Sequence, residues 1–531
     1  MNKRIKSLEP QTLLFFVILV LGSFLRLYKL GILPGGMYRD EVTVALNSIN
    51  MFHCGTDFVG NVNPVYMTDW GDGHSPLYVW LTLIPLFFNK GIMTPLIARL
   101  PQAVTGILTL AAIYGIGKNT FGKSFGLWAM FITAVCPWHI SMTRWGLDAN
   151  LAPALLVFSL YFFIKGIEKN GYFILSALMY GLSLYTYAIT CVVVPAILVM
   201  MAIYLLIQKK LKFNKYSWSA IFVLFIVALP TILFVLVNAE LLPDIRLPFL
   251  SIIRMNGFRG TEVSSGFTSE AITNLKQAAH LFIFQTDAGE PWEIRLPWGL
   301  FYDIGRLFIV IGGIWLLASS IKSFIKRTFA WEVIFLFQVI GGGISCIAAY
   351  AHLHRINVLY IPLIFCGAYG IYKTVNLFAS KSVKWANCYQ FVIAAIFSIY
   401  LVLFSYDYTH EYKTLTEAYW GIGIDECVEM AIDECSRNDL KMITVEKGAQ
   451  WPRLVLFTNT LAPEFTKDVI YESYPKPYSF VSNGITIQTM IDYEAITSDS
   501  VYIIYFIDYD LFKEDFELTK IYDWYVAVPK K

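Results

Sequence analysis

The stretch PLYVWLTLIPLFF, Pro76 to Phe88, decides how the whole chain is threaded, because its neighbours on both sides repeat long apolar runs. If it crossed a bilayer, every later basic cluster would lie on the side opposite the N-terminal MNKRIK; if it lies at the interface, all of them fall on one side. Its 13 residues are short against the roughly 20 that a spanning helix needs. We therefore expect an interfacial or re-entrant helix here. The composition agrees with a polytopic membrane protein: 531 residues, 56% hydrophobic, 16% aromatic and only 15% charged, with a mean hydropathy of +0.56.

Working outward, the first span is expected over Leu13 to Leu30, with Arg26 and Lys29 at its far end placed to snorkel. No small-residue cleavage site follows it, so it reads as an uncleaved span. Further spans are expected at about 96–117, 124–143, 149–164, 171–187, 189–207, 217–237, 298–320, 330–350, 356–378 and 386–405, about eleven in all. Basic clusters at Lys118 and Lys123, Lys165 and Lys169, QKKLKFNK (Gln208 to Lys215), KSFIKR (Lys322 to Arg327) and KSVK (Lys381 to Lys384) then share the cytoplasmic side with the N-terminus. Three segments face outward: a loop from Gly31 to about Pro95, a loop from Asn238 to Pro297, and the tail.

The expected division is a transmembrane domain over 1–405 and an extracytoplasmic domain over 406–531. The tail is charge-rich, and its short runs LVLFTNT (Leu454 to Thr460), GITIQTM (Gly484 to Met490) and SVYIIYF (Ser500 to Phe506) alternate with polar turns as the strands of a small α/β domain would. The eight cysteines show no C-x-x-C spacing, and Cys136, Cys191, Cys346, Cys366 and Cys388 sit inside apolar runs. Cys427 and Cys435 either pair, if their domain is outside the cell, or remain two thiols. A net charge of +2, scattered between apolar runs, gives no nucleic-acid footprint.

On this threading, polar residues from distant segments converge at one interface. MYRDEV supplies Asp40 and Glu41; TDWGDGHSPLY supplies Asp69, Asp72 and His74; RWGLDANLAP supplies Arg144 and Asp148; HLHR supplies His352 and Arg355. Each has an ordinary reading by itself. Asp40 suits the N-cap of a helix over EVTVALNSINMF, and Arg144 with Asp148 suits a surface ion pair on one helix face. Together, charges gathered at one interface rather than at mid-membrane point away from transport and toward transfer of a group from a lipid phosphate. An arginine or His74 would neutralise the charge growing on the leaving phosphate, and a carboxylate would take the proton from the attacking hydroxyl.

The ordered set YRDEV, DGHSPLYVW, ARLPQAVTGILT, KNTFGKSFG, CPWHISMTRWGLD and HRINVLYIP resembles the GT-C membrane glycosyltransferases related to protein O-mannosyltransferases and to the lipid A aminoarabinose transferase, in order over about residues 10–375. The resemblance implies a polyprenyl-phosphate-linked sugar as donor, inverting direct displacement, and a catalytic acid in the first outer loop. By position it implies Asp40 as base with Glu41 beside it, Asp148 as the second acidic group, and Arg355, with His74, at the donor phosphate; Arg144 is a further expected phosphate contact from the charge it brings to this interface. Asp72 is an expected acceptor or metal contact. The loop 238–297 is too short for the soluble domain that the mannosyltransferases insert there, so a lipid, a wall polymer or a protein all stay open as acceptor. The acids supply enough oxygens for a divalent cation such as magnesium or calcium, yet no ligand spacing demands one. The expectation is a multi-pass enzyme of a bacterial plasma membrane; the alternative is a transporter or flippase of a polar or lipid-linked substrate, whose charges would lie mid-span.

Overall fold

In the computed structural model, the structure describes residues 9–71, 73–257, 263, 267, 269–286 and 297–530. The first ten helices are α1 (Pro10–Leu27), α2 (Arg39–Cys54), α3 (Leu77–Phe88), α4 (Pro95–Thr120), α5 (Lys123–Val135), α6 (Pro137–Met142), α7 (Ala152–Glu168), α8 (Tyr172–Ser183), α9 (Thr190–Ile207) and α10 (Lys215–Asn238). A two-stranded hairpin follows, β1 (Ile245–Leu247) and β2 (Leu250–Ile252), and then the long helices Asp303–Lys326, Trp331–Ala348, Tyr360–Ala379 and Val383–Thr409. Among the described residues, nine helical segments are long and apolar enough to cross a membrane by length and composition. The two remaining expected spans fall on the shorter apolar helices Lys123–Val135 and Tyr172–Ser183.

Apolar side chains face outward along these helices, as a lipid solvent requires: Leu13, Phe16, Val20 and Phe24 of α1 are all about half exposed or more. Inside, small residues admit close backbone approach. A Cβ added to Gly312 would lie 1.8 Å from the Cys366 carbonyl oxygen, which fixes the tight crossing of Asp303–Lys326 on Tyr360–Ala379. The α3 helix buries Leu77, Tyr78, Val79, Thr82 and Leu86 while Ile84, Phe87 and Phe88 stay exposed. It packs against α2 and α4, and Tyr78 Oη donates to the Ala98 carbonyl at 2.7 Å.

Arg26 corrects a sequence expectation. Instead of snorkelling, it is fully buried and reaches the break between α5 and α6. Pro137 has no N–H, so the Thr133 carbonyl loses its helical donor. Arg26 Nη2 donates to that oxygen at 3.2 Å, and Nη1 to the Ala134 carbonyl at 3.3 Å.

The tail forms a seven-stranded mixed sheet in the order β4-β5-β6-β3-β7-β9-β8, where β3 is Met442–Val445, β4 Ile470–Ser473, β5 Lys476–Ser482, β6 Ile485–Gln488, β7 Ser500–Tyr505, β8 Phe516–Ile521 and β9 Trp524–Pro529. Its centre, β3, is parallel to β6 and β7. The runs at 484–490 and 500–506 contain β6 and β7, but Leu454 to Thr460 does not form a strand. Its first four residues belong to the helix Trp451–Phe457, opened by Pro452 and buried on nearly every side between the sheet and α2, and the rest turn out of it, so periodicity had nothing to report. The boundary expected at 405/406 falls within Val383–Thr409, which continues past the apolar run.

Cys427 and Cys435 lie on the single helix Ile424–Asn438. Their spacing of about 12 Å along the axis excludes a bridge, which needs Cα atoms within about 7 Å. Both are buried free thiols, and burial raises their pKa to about 12 and about 11 respectively, so both stay protonated and unreactive at pH 8. In sealed right-side-out vesicles, a membrane-impermeant maleimide is expected to label the half-buried Cys54 rapidly and neither helix thiol until the protein is denatured. Mass spectrometry of the labelled peptides reads both the burial and the side on which Cys54 lies.

Candidate functional site

The site is built on α2. Tyr38 is extended (φ −64°, ψ 149°) and the helix starts at Arg39, which places Asp40 and Glu41 in the first turn, where negative charge meets the positive end of the helix dipole. The two adjacent carboxylates then diverge. Asp40 keeps 18% of its side chain exposed and lies 3.8 Å from the half-exposed Arg39. Glu41 is fully buried. Arg99 of α4 grips it with both arms: Nε donates to Oε1 at 2.8 Å and Nη2 to Oε2 at 2.9 Å. The Gly146 and Tyr38 N–H groups add bonds at 3.1 and 3.4 Å.

The rest of the Arg99 fork gathers the loop that leads into α2. Nη1 donates to the carbonyls of Leu30 (3.2 Å) and Pro34 (2.9 Å), and Nη2 to that of Gly36 (2.6 Å). Farther along the first loop, the buried Asp57 accepts from Val59 N–H, from Asn61 backbone and side chain, and from Thr68 Oγ1 at 2.8 Å. Burial raises its pKa against those opposing hydrogen bonds. The ring thereby formed delivers His74 and Ser75 to α2.

His74 is buried, with Nε2 2.9 Å from Asn47 Nδ2 and Nδ1 3.3 Å from the Ser75 carbonyl. In the tautomer that satisfies both contacts, Nε2 accepts and Nδ1–H donates, which leaves no ring N–H aimed at a donor phosphate. Arg144 is likewise engaged elsewhere. It sits in a turn and does not share a helix face with Asp148; Nη1 donates to the Leu25 carbonyl at 2.9 Å, and Nη2 to those of Tyr28 and Leu33 at 2.7 and 2.9 Å. Its guanidinium closes the end of α1.

Asp148 is 3% exposed. It opens the 3₁₀ turn Asp148–Leu151 and accepts from Ser75 N–H at 3.0 Å and Ala149 N–H at 2.7 Å, pinning the first loop to the second. Asn357 donates to the Ala149 carbonyl at 2.9 Å, which ties the segment carrying the half-buried Arg355 to that turn. Asp72 lies outside the described residues. Among the described residues, no group of three or more His, Cys, Asp or Glu side chains gathers to hold a metal.

Arg99, Asn47 and Asn357 went unnoticed in the sequence. Arg99 alone left a signal: a guanidinium just inside an apolar span needs a partner, and Glu41 was a candidate on the facing loop. Replacing Glu41 by Gln leaves the Arg99 charge buried without its counter-ion, and unfolding in detergent should lose about 3–5 kcal/mol. Joint replacement by Leu and Met should cost less than the sum of the two single changes, a coupling that a double-mutant cycle of melting curves will measure.

Residues 73–234, which include His74, Arg144 and Asp148, match the family described as dolichyl-phosphate-mannose-protein mannosyltransferase. No curated protein matches the chain by sequence. Among solved structures, ArnT from Cupriavidus metallidurans in the apo state superposes with a TM-score of 0.52 at 11% identity over 97% of both chains. The same protein bound to undecaprenyl phosphate gives 0.51 at 11% identity over 98% of both. The oligosaccharyltransferase of Archaeoglobus fulgidus gives 0.51 at 11% identity over 84% of this chain, which spans 64% of the archaeal protein. By these superpositions this chain has the fold of the GT-C membrane glycosyltransferases.

Proposed function

We propose that the protein transfers a sugar from a polyprenyl-phosphate donor to an acceptor at the outer face of the cytoplasmic membrane, with Asp40 as the general base and inversion at the sugar carbon. The observation that carries this reading is the division of labour between neighbours. Glu41 is saturated and buried while Asp40 keeps an accessible carboxylate, presented by a helix whose first turn is fixed. The GT-C fold and the lipid phosphate held by ArnT support the donor class.

The apolar surround offers a place for the donor chain. A groove lined by Tyr66, Tyr185, Cys191, Val192 and Phe234 has Ser75 and Pro76 in its wall. Since Ser75 N–H is bound to Asp148, a polyprenyl tail in this groove carries its phosphate toward the turn that Asp148 opens, to which Asn357 ties the segment bearing Arg355. In the step itself, the acceptor hydroxyl gives its proton to Asp40 while its oxygen bonds to the anomeric carbon from the face opposite the phosphate. The carbon–phosphate oxygen bond breaks, and its electron pair leaves on polyprenyl phosphate. Arg355 offsets the charge that develops there, and Asp148 acts through the loops that it ties. The reading leaves lipid, wall polymer and protein hydroxyls as acceptors.

Asp40 lies in the first turn rather than at the N-cap, which is Tyr38, so Asp40→Asn keeps the size of the side chain and removes the proton acceptor. With protein in nanodiscs, a panel of radiolabelled polyprenyl-phosphate sugars and membrane extract as acceptor, wild type should transfer label and the variant should lose at least about a hundredfold in kcat. Equal rates would remove Asp40 from the base role, and donor bound but never consumed by wild type would overturn the transferase reading.

A further inference from the structure

The C-terminal domain does not hang from the bundle by a linker. It shares a hydrophobic core with α2, in which Met37, Val42, Ala45, Leu46 and Ile49 pack with Ile424, Val428, Leu454 and Val455. Polar contacts from it reach Met37, just ahead of the first turn of α2. Arg453 is 3% exposed and donates from Nη2 to the Met37 carbonyl at 2.7 Å and the Trp420 carbonyl at 3.2 Å. The Met37 N–H in turn donates to the Trp420 carbonyl at 3.1 Å.

Trp420 closes the arrangement from the other side. Its ring stacks on Trp145 at 5.2 Å and 30° and lies 5.5 Å from Tyr38, while Tyr38 meets Trp145 edge-on at 4.7 Å. Three aromatic rings from the first loop, the second loop and the C-terminal domain thus form one contact, adjoining both Asp40 and the Asp148 turn. The backbone is equally close: Gly36 has φ +67°, and a Cβ there would lie 2.6 Å from the Trp420 oxygen. Burial depresses the Arg453 pKa to about 10, with the nearby Glu41 charge opposing that shift and Arg39 adding to it, so the guanidinium stays charged at neutral pH. It also lies within electrostatic reach of the very pair that orients α2.

We propose that Arg453 and Trp420 are positioning residues for Asp40, holding the Met37–Tyr38 step from which the first turn of α2 departs, so that the C-terminal domain is part of the catalytic frame. The proposal rests on Asp40 being the base, and its test has an arm independent of that reading. Full-length protein in nanodiscs is compared as wild type, Arg453→Ala, Arg453→Lys, Trp420→Phe and the exposed-surface control Lys441→Ala, first by hydrogen exchange of peptides covering residues 34–45 and then by donor turnover.

Exchange in that segment should rise by at least about tenfold in Arg453→Ala, with peptides of α4 and α7 unchanged and the control at wild-type values. Turnover should fall about a hundredfold in kcat with KM for donor retained, the scale of a misplaced catalytic group, and Arg453→Lys should recover part of both effects. If Arg453→Ala does not fold, Arg453→Lys and Trp420→Phe carry the same comparison at smaller amplitude. Unaltered exchange over 34–45 in all three variants would overturn the proposal, as would a loss confined to KM. A wild-type rate in Asp40→Asn would overturn the base reading while leaving the exchange result to judge the positioning role separately.

Discussion

The buried pair of Glu41 and Arg99 is the constraint around which this end of the molecule is arranged. A lone guanidinium at the head of an apolar helix is costly, and a lone carboxylate on the facing loop equally so. Paired, they bring α2 to α4, and the remaining arginine donors bind three carbonyls of the intervening loop. The consequence for the neighbouring residue is geometric. With Glu41 turned inward at the third helical position, Asp40 is turned toward the accessible side, so two adjacent acids of similar chemistry acquire different roles.

A second theme is the repair of backbone where helices stop. Pro137 breaks the helix between Lys123 and Met142 and frees the Thr133 carbonyl, which Arg26 satisfies; Arg144 does the same for the end of α1, and Asn357 for the Ala149 carbonyl. Irregular backbone near a membrane persists only where side chains supply such partners. These cations and amides act as structural donors.

The C-terminal domain extends the same logic across what composition suggests is a boundary. Its central sheet is ordinary, but the helix Trp451–Phe457 lies in the interface with α2, and Trp420 joins aromatic rings from the segments before α2 and after α6. The run Leu454–Thr460 reads as a strand because it is short, apolar and unpatterned, and in the fold its first four residues belong to a helix buried on almost all sides. The charge-rich face of the tail signalled solvent, but nothing in its alternation signalled that one edge would complete the core of α2.

By itself the sequence determined the helical membrane architecture, the short helix at Pro76 to Phe88 and the two later tail strands, because run length, hydropathy and residue alternation are properties of consecutive residues. Tertiary structure alone decided which of the candidate site residues are open to chemistry. Whether Glu41, His74 or Arg144 faces a substrate or a neighbouring carbonyl depends on partners more than twenty residues away in the chain, and hydrogen-bond satisfaction in a buried, low-dielectric interior is set by that three-dimensional neighbourhood. Local pattern carries no record of it.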